Sequence, residues 1–488
     1  MSILQNIKDL TLGSGPTDHA TADPNNIDKI EVGEEAAKHF LFQGDYRNLN
    51  HGSFGTYPRA VRTSLRALQD ECEGQPDRFI RYTYPRKLDE SREAVAKYLN
   101  VPTETVVFVP NATTGVNTVL RNLVWQPGDV IIYFSTIYGA CHKTIDYLTE
   151  TTPVQSKGIE FTYPISDADL NQTFSDTIAS IKAAGQTPKL AIFDSIVSMP
   201  GVLVPFQQLT QICRSNNILS LIDGAHSIGQ IPMDLATLDP DFYISNLHKW
   251  LHVPRGCAVF YCPVRNQPLM RSSLPTSHGF VPAKSGGPVS PLPPSSKSEF
   301  VNQFEFTGTI DTNPYLCVGD ALKWRSKIAW KDLKGEEAIM AYYNHLARQA
   351  GSIVSEGLGG TEIMENEGRT LGQCAFANVQ LPLSFDSDAS GSYPTAVAIA
   401  QWMSRVLVEE YNTFLAILIH GGKWWVRLSA QVYLTEQDFE WGGKVLKEVC
   451  ERAKKGEWKS EGGQVGKLPV RLAGNQISAT GGEVEKGE

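Results

Sequence analysis

Near its middle the chain reads Asp241-Phe242-Tyr243-Ile244-Ser245-Asn246-Leu247-His248-Lys249-Trp250, an apolar run rich in aromatic and β-branched residues that turns polar at His248 and Lys249. A second apolar run lies upstream and ends in Asp223. The acid precedes the lysine by 26 residues, about the length of one strand–helix–strand return. Parallel strands joined in this way end at the same edge of a sheet, where open α/β sheets bind ligands. The spacing therefore predicts that Asp223 and Lys249 face a common cleft.

That pair of residues suggests the chemistry of pyridoxal phosphate. A buried lysine amine can form a Schiff base with an aldehyde, and a carboxylate beside a pyridine nitrogen keeps that nitrogen protonated. Taken singly, Asp223 and Lys249 would suit an ordinary strand end equally well, as a helix cap and a surface charge. The remainder of the chain has to decide between these interpretations.

Composition limits the class of protein. The chain has 488 residues, of which 41% are hydrophobic and 20% charged, enough for one large and one smaller globular domain. The net charge of −9 and the scattered basic residues predict no nucleic-acid partner. The first 20 residues lack the pattern of a signal peptide, and no apolar run reaches the roughly 20 residues of a membrane span. The eight cysteines show neither C-x-x-C spacing nor a zinc pattern, so we expect reduced core thiols, no metal and a cytoplasmic location.

Strand and helix patterns alternate from residue 105 to residue 262. Apolar runs predict strands at 106–109, 130–134, 189–194 and 257–262, besides those ending at Asp223 and Lys249. This alternation predicts an α/β fold with a mostly parallel sheet covered by helices on both faces. The polar clusters follow the strands, so their side chains should meet at one edge of the sheet.

The organisation of the chain predicts four segments. They are an N-terminal arm at 1–45, a large cofactor-binding domain at 46–325, a small α+β domain at 326–455 and a disordered tail at 456–488. Residues 281–298 are rich in Pro, Gly and Ser and should form a loop. A short helix is predicted near 33–42 and a long helix at 314–326, and the small domain should contain helices at 335–357 and 394–411 and strands at 372–380, 414–419 and 424–429.

Three motifs carry a resemblance to a known family. They are Leu49-Asn50-His51-Gly52-Ser53-Phe54-Gly55, Asn246-Leu247-His248-Lys249-Trp250 and Val426-Arg427-Leu428-Ser429-Ala430-Gln431. Over about 45–450 the chain resembles the class V aminotransferase family of fold type I pyridoxal phosphate enzymes, in its isopenicillin N epimerase-like subgroup. Within that subgroup the runs 105–123 and 136–147 look most like fungal hercynylcysteine sulfoxide lyases.

The resemblance implies roles in binding the cofactor. Lys249 would be the Schiff-base lysine, and Asp223 would pair with the pyridine nitrogen. His226 would hydrogen-bond the phenolic oxygen, although a histidine satisfied within the core is the alternative. Tyr138 would stack on the ring, or serve only in packing. The residues implied to hold the phosphate are Thr113, Thr114, Asn246, His248 and, from the neighbouring subunit of a homodimer, Thr309.

The start of the predicted helix after 111 supports the phosphate assignment independently. Asparagine and threonine are good helix caps, and the free N–H groups at such a start can hold a phosphate. Capping alone is the alternative for Thr113 and Thr114. Arg427 lies in an apolar run, where an unpaired charge would be costly, and the resemblance matches it to the arginine that binds a substrate carboxylate. The resemblance also implies that Asn50 binds the substrate and that Ser198 is a cofactor-binding residue near the ring oxygen or the substrate.

These roles predict an enzyme acting at Cα and Cβ of an amino acid, with Lys249 as the general base. The favoured reaction is β-elimination from a cysteine conjugate or its sulfoxide, giving pyruvate and ammonia. Ring closure by a Mannich-type cyclase and epimerisation are the alternatives, and a silent binding scaffold is disfavoured by the intact Asp223–Lys249 pair. Persulfide transfer is not expected, because Cys374 lies in a predicted strand. No pattern assigns a role to His51, His142, His252, His278 or His420.

Overall fold

The computed structural model describes residues 29–284, 290–384 and 394–459. The first 28 residues of the predicted arm and residues 460–488 of the predicted tail lie outside that description. In the described ranges no helix is both long enough and apolar enough to cross a membrane.

The strands of the described ranges form one large sheet and two small ones. In chain order they are β1 (Ile30–Glu31), β2 (Val106–Val109), β3 (Asp129–Phe134), β4 (Gln155–Ile159), β5 (Thr187–Asp194), β6 (Leu219–Asp223), β7 (Phe242–Asn246), β8 (Ala258–Tyr261), β9 (Ile328–Trp330), β10 (Leu333–Lys334), β11 (Phe376–Gln380), β12 (Ala416–His420) and β13 (Lys423–Ser429).

The large sheet has the strand order β2-β8-β7-β6-β5-β3-β4. Its neighbours from β4 to β7 run parallel, and β8 is antiparallel to both β7 and β2. The prediction of a mostly parallel sheet is therefore confirmed. Strands β6 and β7 are parallel neighbours, so the return predicted between Asp223 and Lys249 exists. The only helix within that return is short, Leu235–Leu238.

Helices cover both faces of the large sheet. The alternation of side chains shows this within β7, where Phe242 and Ile244 enter one core cluster and Tyr243 enters the other. All three side chains are fully buried. The α-helices are Glu34–Ala37, His51–Phe54, Arg59–Gly74, Pro76–Arg78, Tyr84–Leu99, Ala112–Asn122, Gly139–Thr151, Asp167–Ala183, Phe206–Ser215, Leu235–Leu238, Leu247–Trp250, Glu299–Glu305, Asn313–Leu316, Val318–Arg325, Glu336–Gly357, Pro394–Glu409 and Glu436–Lys454, with a π-helix at Phe79–Thr83.

The C-terminal part of the chain builds a separate antiparallel sheet in the order β11-β13-β12. Its central strand, β13, is almost entirely buried and carries Arg427. The strand β1 joins the other small sheet, because it pairs in parallel with β9. Phe40, which follows β1, is buried against Trp324 and Tyr433. Residues 29–45 are thus packed against the C-terminal part of the chain, and the division into domains at 46, 326 and 456 stays a prediction.

Several predicted elements differ in extent from those observed. The predicted helix 314–326 is interrupted at Cys317, whose φ of −89° and ψ of 1° separate two shorter helices. The predicted strand 372–380 begins only at Phe376, and the helix near 33–42 spans four residues. The edge strand β4 was not predicted, because its sequence QSKGI lacks an apolar alternation. In the structure this strand is largely exposed.

Gly55 ends the short helix His51–Phe54 with a φ of 63°. A Cβ atom there would lie 1.9 Å from the carbonyl oxygen of His248 and 2.8 Å from the Cα atom of Lys249. The segment 50–55 therefore approaches the backbone of Lys249 as closely as glycine allows. Gly44 has a similar φ of 58°, but a Cβ atom at that position would have no other atom within 4 Å, which makes Gly44 a matched control.

We predict that Gly55→Ala destabilises the protein more than Gly44→Ala. Both variants incur the strain of a positive φ, about 1–3 kcal/mol. Gly55→Ala adds a steric overlap with the His248–Lys249 backbone, which should cost about 1–3 kcal/mol more. Denaturant unfolding of both variants measures the difference. Equal losses would show that the close approach to residue 248 does not matter.

Candidate active site

A cavity of about 240 Å³, here called the reaction cavity, lies at the carboxyl ends of the parallel strands. Asp194 and Asp223 reach it from β5 and β6, and Lys249 reaches it from the helix that follows β7. This is the edge predicted from the sequence, and it brings together eight of the predicted site residues. Those lining the cavity are Thr113, Tyr138, Ser198, Asp223, His226, Asn246, His248 and Lys249.

The amine of Lys249 lies 3.1 Å from Nε2 of His226. The other ring nitrogen of His226, Nδ1, accepts a hydrogen bond of 3.2 Å from the indole N–H of Trp250. Because an indole nitrogen can only donate, Nδ1 carries no proton and the neutral ring carries its proton on Nε2. Burial lowers the pKa of His226 well below its usual value, and the charges of Lys249 and Arg427 lower it further. His226 is therefore neutral and presents an N–H donor to the reaction cavity.

Burial also lowers the pKa of Lys249, to about 8. The positive charge of Arg427 adds to this effect, while Asp223 and Asp194 oppose it. A lysine with this pKa is half deprotonated at about pH 8, whereas an ordinary lysine stays protonated up to about pH 10. The site thus supplies a nucleophilic amine, which is the form that attacks an aldehyde.

Two carboxylates lie side by side opposite this amine. Asp194 and Asp223 are register partners on neighbouring parallel strands, and both are buried. Burial raises the pKa of each, and the charge of Asp223 further raises that of Asp194. One oxygen of Asp223 accepts from the amide of Ala225 at 3.0 Å, and the other accepts from the thiol of Cys141 at 3.5 Å. Because two buried anions repel, a cation beside Asp223 would relieve the repulsion.

The helix Ala112–Asn122 begins at another wall of the reaction cavity. Asn111 caps it by accepting from the amide and the hydroxyl of Thr114, at 2.8 Å and 3.1 Å. The Thr114 hydroxyl is therefore committed to the cap, and Thr114 does not line the cavity, whereas Thr113 does. Asn246 accepts from the amide of Ala112 at 2.9 Å and so attaches the end of β7 to the helix start.

His248 lies between β7 and β8 at the same wall. Its Nδ1 donates to the carbonyl oxygen of Cys257 at 2.9 Å, which leaves Nε2 as a lone pair in the neutral ring. Burial lowers the pKa of His248 to about 4. A phosphate placed here would favour the charged ring, because an anion raises the pKa of a neighbouring histidine.

Of three further predicted residues, Tyr138 and Ser198 line the reaction cavity, whereas Thr309 does not. Tyr138 caps the helix Gly139–Thr151 at the mouth of the reaction cavity, and 49% of its surface is exposed. Ser198 lines the cavity and directs its carbonyl oxygen to Arg427. Thr309 is exposed and does not line the cavity of its own chain. A role for Thr309 would therefore require another subunit.

Arg427 is fully buried, yet no carboxylate pairs with it among the residues that the structure describes. Its Nη1 donates to the Ser198 carbonyl at 2.6 Å, and its Nη2 donates to the Asn50 amide oxygen at 2.8 Å and the Ser53 hydroxyl at 2.9 Å. Its Cζ atom lies 4.6 Å from the ring centre of Phe376, and its Nε has no hydrogen-bond partner. Burial lowers the pKa of Arg427 to about 10. Such a cation is incomplete without an anion.

Sequence reasoning missed residues that the structure places in contact with the predicted ones. Asp194 had a usable signal, since it also ends an apolar strand, but acids at strand ends are common. Trp250 follows Lys249 directly, and its apolar character gave no hint that its N–H would reach His226. Cys141 offered no signal, because its contact with Asp223 arises between a helix and a strand 82 residues apart.

The residues of the reaction cavity fit pyridoxal 5′-phosphate. A buried amine with a lowered pKa suits the aldehyde, and the carboxylate pair suits a protonated pyridine nitrogen. The start of an eleven-residue helix beside Thr113, Asn246 and His248 suits the phosphate. The half-exposed ring of Tyr138 leaves room for a planar ring at the mouth. The assignment of each residue to its role stays a prediction.

The fold and this site define a pyridoxal phosphate-dependent enzyme of fold type I. Residues 80–364 match the family model "Aminotransferase class-V", and the chain belongs to the class V aminotransferase family. The chain is 36% identical over 448 residues to the L-cysteine desulfhydrase-like protein lolT1 of Epichloe uncinata, covering 87% of this chain and 97% of the relative. It is 33% identical to the hercynylcysteine sulfoxide lyase of Schizosaccharomyces pombe, covering 87% and 99%.

Solved structures share the fold. The cystine C–S lyase C-DES in complex with its product cysteine persulfide matches with a TM-score of 0.65 and 18% identity, covering 83% of this chain and 98% of that chain. The cysteine desulfurase of Thermococcus onnurineus NA1 matches with a TM-score of 0.65 and 16% identity, covering 86% and 98%. At these identities the likeness concerns the fold, and it agrees with the predicted α/β architecture.

We predict that loading of the cofactor-free protein with pyridoxal phosphate accelerates with pH and levels off at about pH 8. Only the free amine of Lys249 attacks the aldehyde, and its pKa is about 8. The rate should rise about tenfold per pH unit below that value. The growth of visible absorbance measures it, and the reaction of pyridoxal phosphate with Nα-acetyl-lysine is the reference, whose rate should keep rising to about pH 10. A rise that continues to about pH 10 would mean an unperturbed lysine.

We also predict that Trp250→Phe shifts the titration of the bound cofactor's visible absorbance to higher pH. The variant loses the N–H that fixes the proton of His226 on Nε2, and a weaker donor stabilises an anionic ring oxygen less. Trp425→Phe is the control, because Trp425 is equally buried and donates to the His420 carbonyl in the small sheet. Each variant should lose roughly 1–3 kcal/mol of stability. A shift of equal size in both would refute the tautomer assignment.

Proposed function

We propose that this protein is a pyridoxal phosphate-dependent C–S lyase that acts on an S-substituted L-cysteine or its sulfoxide. The observation that carries the proposal is the pair of Lys249 and Arg427. The first is a base in the wall of the reaction cavity. The second is a buried cation without a counterion among the described residues, and it is joined to the reaction cavity through Ser198 and Ser53. An amino acid satisfies both, with its α-carboxylate on the planar guanidinium and its Cα near the amine.

Arg427 binds the α-carboxylate, and this anion completes the hydrogen bonding of a guanidinium whose partners in the described ranges are neutral. Lys249 then takes the proton from Cα. The bound cofactor supplies an electron sink for the negative charge left at Cα. The Cβ–S bond breaks, the sulfur leaves with the electron pair as thiolate or sulfenate, and hydrolysis of the enamine product gives pyruvate and ammonia.

Elimination is favoured over persulfide transfer by the position of the thiols. Cys374 is buried, and its Sγ lies 3.8 Å from the carbonyl oxygen of Leu371, in the turn that precedes β11 and not within a strand. No cysteine is among the residues that line the reaction cavity. The relatives with 33–36% identity carry desulfhydrase-like and lyase names, whereas isopenicillin N epimerase of Streptomyces clavuligerus is 24% identical. Epimerisation and cyclisation are therefore less favoured.

The proposal includes a homodimer in the cytoplasm. Thr309 and Ile310 are exposed on a segment that does not reach the reaction cavity of its own chain, so a neighbouring subunit could receive Thr309. All eight cysteines are free thiols, which suits a reducing compartment. We assign the cofactor to the large domain at 46–325 and the carboxylate-binding arginine to the small domain at 326–455.

We expect the purified holoenzyme to release pyruvate from cysteine sulfoxides, measured by coupling to lactate dehydrogenase. Lys249→Ala should abolish both the covalent attachment of the cofactor to the protein, measured by mass spectrometry after borohydride reduction, and the release of pyruvate. Pyruvate release by the alanine variant would remove Lys249 from its assigned role. Turnover of an amino acid without pyruvate would replace the lyase by the cyclase or epimerase.

We expect Arg427→Lys to raise the KM for the amino acid roughly 100-fold, because lysine cannot form the two parallel hydrogen bonds of a guanidinium. The affinity for pyridoxal phosphate should change less than about threefold, since Arg427 does not line the cofactor wall. Steady-state kinetics and cofactor titration give the two numbers. A variant that loses cofactor affinity while keeping its KM would contradict the assignment.

A further inference from the structure

A second cavity of about 730 Å³, here called the side cavity, opens beside the reaction cavity. Phe54 lines both, and 70% of its surface is exposed. The walls of the side cavity combine aromatic rings such as Phe42 and Phe414 with amides such as Gln43 and Asn412. Elimination involves only Cα, Cβ and sulfur, so the reaction proposed above makes no use of this space.

Arg255 is the charged residue in the lining of the side cavity. Its Nε donates to the carbonyl oxygen of Phe54 at 3.1 Å, and its Nη2 donates to that of Gly55 at 2.8 Å. Carbonyl groups orient the guanidinium but do not neutralise it. Within the described ranges no carboxylate forms an ion pair with Arg255. The nearby Asp45 accepts from Asn412 at 2.6 Å and is not part of the lining.

The segment 50–55 contacts two arginines that have no carboxylate partner in the part of the chain that the structure describes. Arg427 is fully buried, and Arg255 is exposed to solvent. Arg427 donates to the side chains of Asn50 and Ser53, towards the reaction cavity. Arg255 holds the backbone of the other end, towards the side cavity. Asn50 also lines the side cavity. It therefore contacts Arg427 and borders the cavity that Arg255 lines. A ligand that spans both cavities would meet a cation at each end.

We propose that the side cavity binds the S-substituent of the substrate and that Arg255 binds a second carboxylate at its far end. The proposal rests on the proposed function and narrows it to one substrate class, cysteine S-conjugates whose sulfur substituent ends in a carboxylate. The α-carboxylate lies on Arg427, the substituent passes Phe54, and the aromatic walls contact its spacer. Arg255 determines specificity and takes no part in bond cleavage.

The test uses amino acids that bind but cannot eliminate. L-2-aminosuberate has the shape of S-(3-carboxypropyl)-L-cysteine with a methylene in place of sulfur, and L-2-aminooctanoate replaces its distal carboxylate by a methyl group. L-2-aminoadipate and L-2-aminopimelate vary the distance between the carboxylates. Dissociation constants are measured on the holoenzyme from the change in the cofactor's visible absorbance.

At the best length, the dicarboxylate should bind about tenfold more tightly than its methyl counterpart, the effect expected of one charge-assisted contact. Arg255→Gln should abolish this preference and leave the affinity for L-2-aminooctanoate within about twofold. Arg86→Gln is the control, because Arg86 pairs with Glu90 and lines neither cavity. This variant should keep the full preference.

Two results would overturn the proposal. One is a wild-type protein that shows no preference for the dicarboxylate at any length. The other is an Arg255→Gln variant that weakens both ligands equally, since Arg255 would then serve only to hold the segment 50–55. Binding does not require C–S cleavage, so a preference that depends on Arg255 in a protein that forms no pyruvate would leave this subsite in place and remove the lyase proposal.

Discussion

Lys249 is half-buried, and its amine lines the reaction cavity, where a positive charge is costly. Three charged neighbours change the pKa of this amine further. Asp223 and Asp194 offer negative charge from the ends of two strands, while Arg427 opposes protonation from the other sheet. The balance gives an amine that loses its proton near neutral pH. Burial thus produces the reactivity, and the charged neighbours adjust it.

Two neutral histidines contact Lys249, one at its amine and one at its backbone carbonyl. His51 donates from Nε2 to the carbonyl oxygen of Lys249 at 2.7 Å, while its Nδ1 lies 2.9 Å from the hydroxyl of Tyr433. Burial lowers the pKa of His51 to about 3. His226 receives the indole N–H of Trp250 in the same neutral state. Because neither ring is charged, each has a defined donor and a defined acceptor, and each fixes one atom near the reacting centre.

The residues proposed to bind the cofactor and the substrate come from two different sheets. The large sheet delivers Asp223 and Lys249 at its carboxyl edge, and the central strand of the small sheet delivers Arg427 from the opposite direction. The segment 50–55 lies between them and contacts Arg427, Arg255 and the backbone of Lys249. A glycine at 55 is required because any side chain would enter the space of His248. The short motif at 49–55 therefore has a structural reason that does not depend on any ligand.

The sequence by itself determined the parallel sheet, the edge at which its polar residues meet and the acid–lysine pair, because alternation and spacing specify which face of a strand is buried and where the strand ends. It did not reveal Asp194 as the neighbour of Asp223 or the contacts that Arg427 and Arg255 make with the segment 50–55. It also left His51 without a role. These features are contacts of about 3 Å between residues tens to hundreds of positions apart, such as His51 and Lys249 or Arg427 and Asn50. Only the tertiary structure decides such contacts, because hydrogen-bond partners depend on where packing places individual atoms and leave no period in the chain.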